Sequence, residues 1–426
     1  MKDIFTELAW RGLVYQTTDD ANIAKWLMEK SRTVYAGFDP TADSLHVGHL
    51  LPLLNLRRFQ KFGHRPIALI GGATGMIGDP SGKSAERNLQ TFDQIFGNVL
   101  SIKKQMRRFL DFDDRECGAI LVNNYDWIAP MSSIEFLRDV GKNFSVNIMH
   151  AKDSVKSRLE DGGNGLSYTE FSYMVLQSYD FVHLHRTYNC ELQIGGSDQW
   201  GNITLGCEYG RKVGVPQLYG LTSPLVTKSD GKKMGKTESG ALWLDPEKTP
   251  PYQFYQYWVN TEDADVEKVL KIFTDLTQDE VAAVAAEHFA APEKRIAQKR
   301  LADEFTRIVH GEEGLAAAQR ATQIFFGGEI AGLDDVQLGA IFADVPSKEL
   351  PRTALEDGLP LTEALLAAVL VPTKNEARRL IQQGGAYVNN MNVRDIDAKL
   401  TISDLASETV LVLRSGKKKY ALLRFV

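Results

Sequence analysis

The sequence predicts an α/β protein built on a parallel sheet, followed by a helical region and a small mixed unit at the C-terminus. Three observations predict this division. Short apolar strands alternate with longer amphipathic helices through about the first 225 residues. The strand pattern disappears beyond about Pro250, where helical periodicity replaces it. Three of the fifteen prolines then fall between Pro346 and Pro360, a density that favours an extended linker.

Five apolar segments are the candidate strands of the N-terminal sheet: residues 33–38, 66–70, 118–122, 191–194 and 218–221. Ligands of parallel α/β sheets bind beyond the carboxyl ends of the strands, so the segments that follow these strands are the candidate site. Three of them are polar or glycine-rich: residues 39–41, 71–82 and 195–199.

Periodicity and glycine placement define the later regions. Apolar residues recur on one helix face at Leu301, Phe305, Ile308 and Val309. Residues 374–383 predict a helix that ends at Gly384, and three segments predict strands: 387–389, 409–413 and 420–425. The predicted domains are 1–230 with an insertion at about 120–165, 231–345, a linker at 346–360, and 361–426.

Charge is distributed unevenly along the chain. The whole chain has 49 basic and 55 acidic residues, which argues against a surface uniformly suited to nucleic acid. From Lys374 onward, basic residues exceed acidic ones by five, which predicts a separate anion-binding module.

Composition also predicts where the protein acts. No apolar run approaches the roughly 18 residues of a bilayer span, and the N-terminus lacks a signal-peptide core. The three cysteines, Cys117, Cys190 and Cys207, are too scattered for a zinc site or a disulfide framework. We therefore expect a cytoplasmic protein with no membrane partner and no structural metal.

A histidine pair follows the first strand candidate. His46 and His49 are three residues apart at the start of a predicted helix, and Gly48 between them leaves room for a ligand near the backbone. Two alternatives are a pair of histidines with purely structural contacts and half of a zinc site. No nearby Cys or third His completes the zinc site.

The glycine-rich stretch 71–84 favours phosphate contact through Lys83 and Arg87, with a plain flexible loop as the alternative. It is not the loop of nucleoside triphosphatases, because Ile77 occupies the position where that pattern requires glycine. Farther along, the basic segment 228–237 carries Lys233 and Lys236, suited either to a polyphosphate or to a solvated linker.

A third feature lies on the predicted helix 171–182. Tyr173, Gln177 and Asp180 form a polar stripe on an otherwise apolar helix. Such a stripe either faces solvent or lines a small polar pocket.

The order of these motifs resembles that of the class I aminoacyl-tRNA synthetases, which carry a His-Ile-Gly-His signature and a Lys-Met-Ser-Lys-Ser loop. Residues 35–45 and 192–202 are similar to bacterial tyrosyl-tRNA synthetases, and residues 376–385 resemble the S4 RNA-binding domain of that family. The resemblance implies a Rossmann-like catalytic domain, an α-helical anticodon-region domain and an S4-like RNA-binding domain. It also implies that ATP activates L-tyrosine to tyrosyl-adenylate with release of pyrophosphate, and that tyrosine then passes to the 3′ end of tRNA(Tyr).

The resemblance also implies roles at the ATP site. The catalytic residues would be Thr41, His46, His49, Lys83, Arg87, Lys233 and Lys236. Further ATP contacts would come from Gly37, Asp39, Gly48, Gly196, Asp198, Met234 and Thr237. Mg²⁺ is expected to accompany ATP as part of the substrate.

For the other substrates the resemblance implies two further sets. Tyrosine would be bound by Tyr35, Asp79, Tyr173, Gln177, Asp180, Gln193 and Gln199, with Tyr35 and Asp180 at the phenolic hydroxyl. The tRNA would contact Arg378, Arg379, Lys417, Lys418 and Lys419, with Arg394 and Arg414 as further candidates. A homodimer is expected, with its interface around residues 127–149.

Four positions depart from the family pattern: Gly235 and Thr237 stand in place of serines, Ala36 in place of a common cysteine, and Val47 in place of isoleucine, which fills the same apolar space. A tryptophanyl-tRNA synthetase would share the fold. Asp180 with Tyr35 argues against it, because the indole of tryptophan offers one donor and no acceptor. A non-catalytic RNA-binding protein is the second alternative, disfavoured by the intact histidine and lysine sets. A nucleoside triphosphatase is the least favoured.

Overall fold

The computed structural model describes residues 3–81, 90–152, 155–156, 165–232, 234–237, 240–330, 332–343, 345–417 and 419–426, except for the side chains of residues 236, 237 and 340. The chain forms two compact units. The first comprises Met1–Thr249 with Tyr257–Val309, and the second comprises Pro250–Gln256 with His310–Val426. The predicted α/β class is confirmed.

A six-stranded sheet organises the first unit. Its strands are β1 (Gln16–Thr17), β2 (Thr33–Phe38), β3 (Arg65–Ile70), β4 (Ile120–Asn123), β5 (Cys190–Gly196) and β6 (Tyr219–Ser223). The order is β1-β6-β5-β2-β3-β4, and every neighbouring pair is parallel except β1 with β6. The five predicted strands are present with ends shifted by at most two residues. Between β2 and β5 the strand order reverses direction, so a crevice opens beyond their carboxyl ends.

Helices cover this sheet and extend beyond it. Those of the first unit are Ile4–Trp10, Ile23–Glu29, Val47–Lys61, Thr74–Ile77, Phe92–Met106, Tyr125–Ile128, Ser133–Glu135, Val146–His150, Tyr168–Tyr188, Trp200–Lys212, Asp263–Phe273 and Gln278–Ala290. Short β-strands Lys236–Thr237 and Gly240–Ala241 pair in antiparallel orientation. The division between the units falls within two further helical segments, Pro251–Val259 and Ile296–Phe325. The latter is broken at Gly311, whose φ of 74° is incompatible with a helix.

The long helix Tyr168–Tyr188 determines how the site is built. Its apolar face packs with the sheet in one buried cluster, where Phe181 and Leu184 meet Tyr35 and Ile67. The helix begins at Ser167, whose side chain caps it by accepting from the amide of Glu170. Burial of the apolar face fixes the rotation of the helix, so the polar stripe on its other residues has a defined position.

The second unit contains a five-stranded sheet. Its strands in spatial order are Met391–Val393, Ala386–Val388, Val410–Ser415, Lys419–Phe425 and Ser347–Leu350. A smaller pair joins Leu359–Pro360 to Lys399–Leu400. The helices are Asp335–Ile341, Thr353–Glu356, Leu361–Ala367 and Lys374–Gln382.

The proline-rich segment 346–360 is not a free linker in this unit. Residues Ser347–Leu350 pair in parallel with Lys419–Phe425, and Leu359–Pro360 forms the smaller pair. Pro346 and Pro351 flank the first of these strands, where a missing amide hydrogen costs no ladder bond. The density of prolines therefore reflects strand ends and turns within the second unit.

Candidate active site

A cavity of about 560 Å³ opens beyond the carboxyl ends of β2 and β5. It lies where the strand order reverses, the position that the topology favours for a ligand. Most of the predicted site residues line it together: Tyr35, Gly37, Asp39, Thr41, His46, Gly48, His49, Asp79, Tyr173, Gln177, Asp180, Gln193, Gly196, Asp198, Gln199 and Met234. Lys83, Arg87 and Lys233 lie outside the described residues, as do the side chains of Lys236 and Thr237.

The two histidines cap the helix Val47–Lys61. His46 Nδ1 accepts from the Gly48 amide at 3.0 Å, and His49 Nδ1 accepts from the His46 amide at 3.3 Å. The rings stack with centroids 4.0 Å apart. Since each Nδ1 accepts a hydrogen bond, each neutral ring carries its proton on Nε2 and is a donor there. Burial lowers the pKa of His46, which favours this neutral form.

Gly48 has a steric reason to be glycine. A Cβ at this position would lie 2.7 Å from Cε1 and 2.9 Å from Nδ1 of His46. Any side chain here would therefore displace the ring that caps the helix.

Residues that follow the lysine-rich segment 228–237 pair with the histidine motif through main-chain hydrogen bonds. The Val47 amide donates to the Leu242 carbonyl at 3.1 Å, and the Leu244 amide donates to the Leu45 carbonyl at 2.9 Å. Met234 and Gly235 line the cavity beside the histidines. The two signatures therefore border one shared cavity.

The geometry explains glycine at position 235. Gly235 has a φ of 82°, and a Cβ there would lie 2.6 Å from Cβ of Val47. Serine, the usual residue of the family signature, would be strained in its backbone and would clash with the histidine motif. The departure at this position is thus matched to the local packing.

A chain of hydrogen bonds runs from the end of β2 to the long helix. Tyr173 Oη donates to Asp39 Oδ2 at 2.9 Å, and Thr74 Oγ1 donates to Asp39 Oδ1 at 2.8 Å. Asn124 Nδ2 connects the other side, donating at 3.0 Å both to Thr74 Oγ1 and to Asp180 Oδ2. These contacts fix the rotamers of two acidic groups in the cavity.

Asp180 is a buried carboxylate with an unusual proton affinity. It is 2 % exposed, and burial raises its pKa to about 7. Hydrogen bonds from Asn124 and from Trp127 Nε1, the latter 2.8 Å from Oδ1, oppose that rise. The carboxylate is therefore held in place by two donors while keeping acceptor capacity toward the cavity.

Two polar atoms of the cavity lining have no partner among the described residues. They are Tyr35 Oη and Gln193 Oε1, both buried and both on residues that line the cavity. Burial raises the pKa of Tyr35, so its hydroxyl keeps its proton and is a donor. A buried hydroxyl without a partner is costly unless a ligand satisfies it. The pocket is thus suited to a ligand with a hydroxyl group.

A second polar cluster surrounds Asp79. Gln199 Nε2 donates to Asp79 Oδ2 at 2.7 Å, and Gln177 Nε2 lies 3.3 Å from Gln199 Oε1. Asn202 Nδ2 donates to Gln177 Oε1 at 3.0 Å. A carboxylate and amide oxygens in one cavity form an acceptor set suited to an ammonium group.

Sequence reasoning did not single out four residues of these networks: Thr74, Asn124, Trp127 and Asn202. Asn124 directly follows β4, so the rule that sites follow strands could have found it. Trp127 has no comparable signal, since only the fold brings it to Asp180.

The basic residues of the second unit are mostly on its surface. Arg378, Arg379, Arg394, Lys417 and Lys419 are exposed, and Lys418 lies outside the described residues. Arg414 is different: it is buried, its guanidinium packs 3.8 Å from the ring centre of Tyr387, and it donates to Tyr420 Oη at 3.3 Å. The expectation of an RNA contact by Arg414 is therefore wrong, because its side chain is used in the core.

The described residues contain no group of three or more His, Cys, Asp or Glu side chains placed to hold a metal ion. Within the same residues, no helix has the length and apolar character needed to cross a membrane. All three cysteines are free thiols.

Comparisons with known proteins agree over nearly the whole chain. Residues 28–327 match the family described as tRNA synthetases class I (W and Y), and residues 337–423 match the tyrosine–tRNA ligase SYY-like C-terminal domain. The tyrosine–tRNA ligase of Rhodopirellula baltica is 56% identical over 422 residues, which is 99% of this chain and 96% of the relative. That of Geobacillus stearothermophilus is 54% identical, covering 99% of this chain and all of the relative.

A solved structure agrees with these relatives. The C-terminally truncated mitochondrial tyrosyl-tRNA synthetase of Aspergillus nidulans aligns with a TM-score of 0.68 at 31% identity, covering 76% of this chain and 94% of that one. The tryptophan and non-catalytic alternatives are disfavoured by full-length identity to tyrosine enzymes. The chain belongs to the tyrosine–tRNA ligases, within the class I aminoacyl-tRNA synthetases.

Proposed function

We propose that the cavity beyond β2 and β5 is where this tyrosine–tRNA ligase binds L-tyrosine and ATP and forms tyrosyl-adenylate. The observation that carries the proposal is that Tyr35 Oη and Gln193 Oε1 are buried, have no partner among the described residues, and lie in the same cavity as His46 and His49. The two buried atoms require a polar ligand, and the two histidines offer donors to an anion. Tyrosine and the triphosphate of ATP supply these two needs.

The phenolic hydroxyl of tyrosine would bind between Tyr35 and Asp180. Tyr35 donates to the phenolic oxygen, and the phenolic hydrogen is donated to the carboxylate of Asp180. Phenylalanine would leave the Tyr35 hydroxyl buried and unpaired, and it would offer no donor to Asp180. The discrimination against phenylalanine already known for the tyrosyl-tRNA synthetase family is about 10⁵.

The ammonium group would bind the second cluster. Asp79 supplies the negative charge, and Tyr173, Gln177 and Gln199 supply further oxygen acceptors. Gln193 completes the tyrosine site next to Tyr35. An ammonium ion is strongly hydrated, so it enters a cavity only when such acceptors replace its water.

ATP would bind next to the histidine motif. Thr41, His46 and His49 would donate to its phosphate and ribose oxygens, and Asp198 would accept from the ribose hydroxyls. Gly37, Gly48 and Gly196 allow close approach of the nucleotide to the main chain. Further contacts would come from Asp39, Met234 and Thr237.

The reaction needs no nucleophile from the protein. An oxygen of the tyrosine carboxylate attacks the α-phosphorus of ATP, and the bond from that phosphorus to the bridging oxygen breaks, releasing pyrophosphate. Lys83, Arg87, Lys233 and Lys236 would balance the negative charge on the leaving group. Catalysis then consists of positioning and charge stabilisation.

Mg²⁺ would enter with ATP, bound to the triphosphate as part of the substrate. Asp39 and Asp198 line the cavity with carboxylate oxygens. Oxygen is the donor that Mg²⁺ and its water shell prefer, so the residues present fit the ion.

The exposed basic residues of the second unit would hold the tRNA. Arg378, Arg379, Lys417, Lys418 and Lys419 supply phosphate contacts in an S4-like domain at 361–426, with Arg394 beside them. The helical region within 231–345 would contact the anticodon region. Phosphate contacts of this kind are sensitive to salt, because binding releases counterions.

The protein would work as a homodimer in the cytoplasm, where ATP and tRNA are available. Between residues 133 and 150 several apolar side chains are exposed, among them Ile134 at 71% and Val146 at 64%. Several large apolar side chains exposed within one segment favour an interface. Sedimentation of Ile134→Glu, expected to favour the monomer, tests this.

Pyrophosphate exchange tests the proposal as a whole. We expect exchange between ATP and pyrophosphate that depends on tyrosine, with phenylalanine and tryptophan far less effective. Tyr35→Phe should lower the preference for tyrosine over phenylalanine and leave the response to ATP unchanged. An unchanged preference would remove Tyr35 from the phenol site.

A further inference from the structure

We propose that Asp265 is a positioning residue for adenylate formation, which acts by fixing the base of the lysine loop. The lysine loop is defined as residues 228–237. The inference rests on the role proposed above for Lys236, and it uses only contacts of the described part of the loop. It assigns a function to a carboxylate that does not line the cavity.

Both carboxylate oxygens of Asp265 accept hydrogen bonds from Ser229 of the lysine loop. Asp265 is 5 % exposed, in the first turn of the helix Asp263–Phe273. The Ser229 amide lies 3.0 Å from both of its oxygens, and Ser229 Oγ donates to Oδ2 at 3.2 Å. A buried carboxylate is stable only when donors surround it, so Asp265 and the main chain of Ser229 determine each other's position.

Other contacts hold the rest of the loop. The Met234 amide donates to the Val226 carbonyl at 3.1 Å, which closes the loop at its stem. The Gly235 amide donates to Tyr257 Oη at 2.9 Å. Lys268, on the same helix as Asp265, donates to the Thr227 carbonyl at 3.0 Å. Two helices thus hold the loop at Ser229 and at Gly235, the residue directly before Lys236.

The opposite end of the same helix is tied to the helix Val47–Lys61, which the histidine motif begins. Arg58, on the helix that His46 caps, is 3 % exposed and donates to the carbonyls of Ile272 and Thr274. Arg11 donates to the Thr274 carbonyl at 3.0 Å. The helix Asp263–Phe273 therefore acts as a rigid spacer, with the lysine loop at one end and the histidine helix at the other.

This arrangement separates the effect of Asp265 from tyrosine binding. The residues proposed to bind tyrosine lie mainly on β2, β5 and the helix Tyr168–Tyr188, outside this set of contacts. Loss of the carboxylate would shift the lysines relative to the leaving pyrophosphate and leave the amino-acid pocket in place. Interactions made mainly in the transition state alter turnover more than ground-state binding.

Single-turnover adenylate formation tests the inference on the full-length chain. We expect Asp265→Ala to slow the step at least tenfold, with the dissociation constant of tyrosine unchanged. Asp265→Asn keeps one acceptor oxygen and should retain part of the rate. Glu267→Gln is the matched control, because it removes a carboxylate of the same helix whose ion pair is with Lys271. An unchanged rate in Asp265→Ala overturns the inference.

A double-mutant cycle distinguishes positioning from a general structural defect. If Asp265 acts through Lys236, Asp265→Ala should slow the reaction far less in a Lys236→Ala background than in the native chain. Equal slowing in both backgrounds overturns the inference. If Lys236→Ala alone leaves the rate intact, the proposed lysine role fails, and the inference fails with it. If Asp265→Ala does not fold, Ser229→Ala replaces it in the cycle, because this variant removes the hydroxyl that donates to Asp265. We expect Ser229→Ala alone to slow adenylate formation a few-fold.

Discussion

Asn124 Nδ2 lies 3.0 Å from Oδ2 of Asp180 and at the same distance from Thr74 Oγ1, so one fully buried amide links two sides of the cavity. Its own Oδ1 accepts from the Ala73 amide at 2.8 Å. Every polar atom of the Asn124 side chain is therefore used in holding its neighbours. The orientation of Asp180 depends on a residue that does not itself line the cavity.

We expect Asn124→Ala to weaken tyrosine binding by about tenfold, because a hydrogen bond to a charged group contributes about 1.5–3 kcal/mol. Phenylalanine, which does not use Asp180, should be affected much less. Equilibrium binding of both amino acids measures the difference. Asn22→Ala is the matched control, since Asn22 also donates to an aspartate, Asp19, but on the surface. Equal weakening for the two amino acids would contradict an effect through Asp180.

Asp180 should also make stability depend on pH. Its pKa is about 7 in the folded chain, above the ordinary value of 3.8. A carboxyl group whose pKa is raised by folding binds its proton more tightly in the folded state. It therefore contributes most stability below about pH 4 and loses that contribution as pH rises to about 7.

Asp180→Asn removes this titration. We expect the free energy of unfolding of Asp180→Asn, relative to the native chain, to increase between pH 5 and pH 8. Urea unfolding of both proteins across this range gives the difference directly. The variant should lose its preference for tyrosine over phenylalanine at the same time. A stability difference that is constant with pH would show that Asp180 keeps an ordinary pKa.

Gly48→Ala tests the steric requirement of the histidine motif. The new Cβ would lie 2.7 Å from Cε1 of His46, so the ring must move. We expect adenylate formation to slow by about 100-fold, the loss typical of removing one transition-state donor, while tyrosine affinity is retained. Rapid-quench kinetics measures the step.

Gly97→Ala is the control for Gly48→Ala. Gly97 is also a helical glycine, but a Cβ there meets no atom of the described residues within 4 Å. Alanine favours a helix over glycine by about 1 kcal/mol, so this variant should keep full activity and gain stability. If the two variants were equally active, the close contact with His46 would have no catalytic consequence.

The sequence predicts those site residues whose positions are determined by a local pattern. Residues that directly follow a strand or repeat along one helix face, such as Asp39 and Tyr173, are detectable because local periodicity fixes where they lie. Trp127 and Asp265 are not detectable in this way. Each reaches its partner only through packing between elements distant in sequence, and a single sequence contains no local trace of that contact.

At Gly235 the sequence alone is misleading, because it does not show the backbone conformation. Read from the sequence, glycine in place of serine is the loss of a hydroxyl group. In the structure its φ of 82° and its contact with Val47 make glycine the residue that fits. The proline-rich segment 346–360 was misleading for a related reason, because prolines at strand ends and prolines in a linker have the same composition.

The basic surface of the second unit is best tested by charge reversal. Truncation at residue 357 would leave the strand Ser347–Leu350 without its partner Lys419–Phe425 and would expose the core. Arg378→Glu with Arg379→Glu changes two exposed residues of the helix Lys374–Gln382 and leaves that core intact. We expect tRNA charging to fall steeply while tyrosine-dependent pyrophosphate exchange is unchanged. The slope of log affinity for tRNA against log salt should decrease by about 1 for each phosphate group that the variant no longer binds.

Lys348→Glu, which changes an exposed lysine on the strand Ser347–Leu350, is the control and should alter neither tRNA charging nor the salt dependence. Charging that withstands the double reversal at every salt concentration would show that this helix does not contact the tRNA backbone.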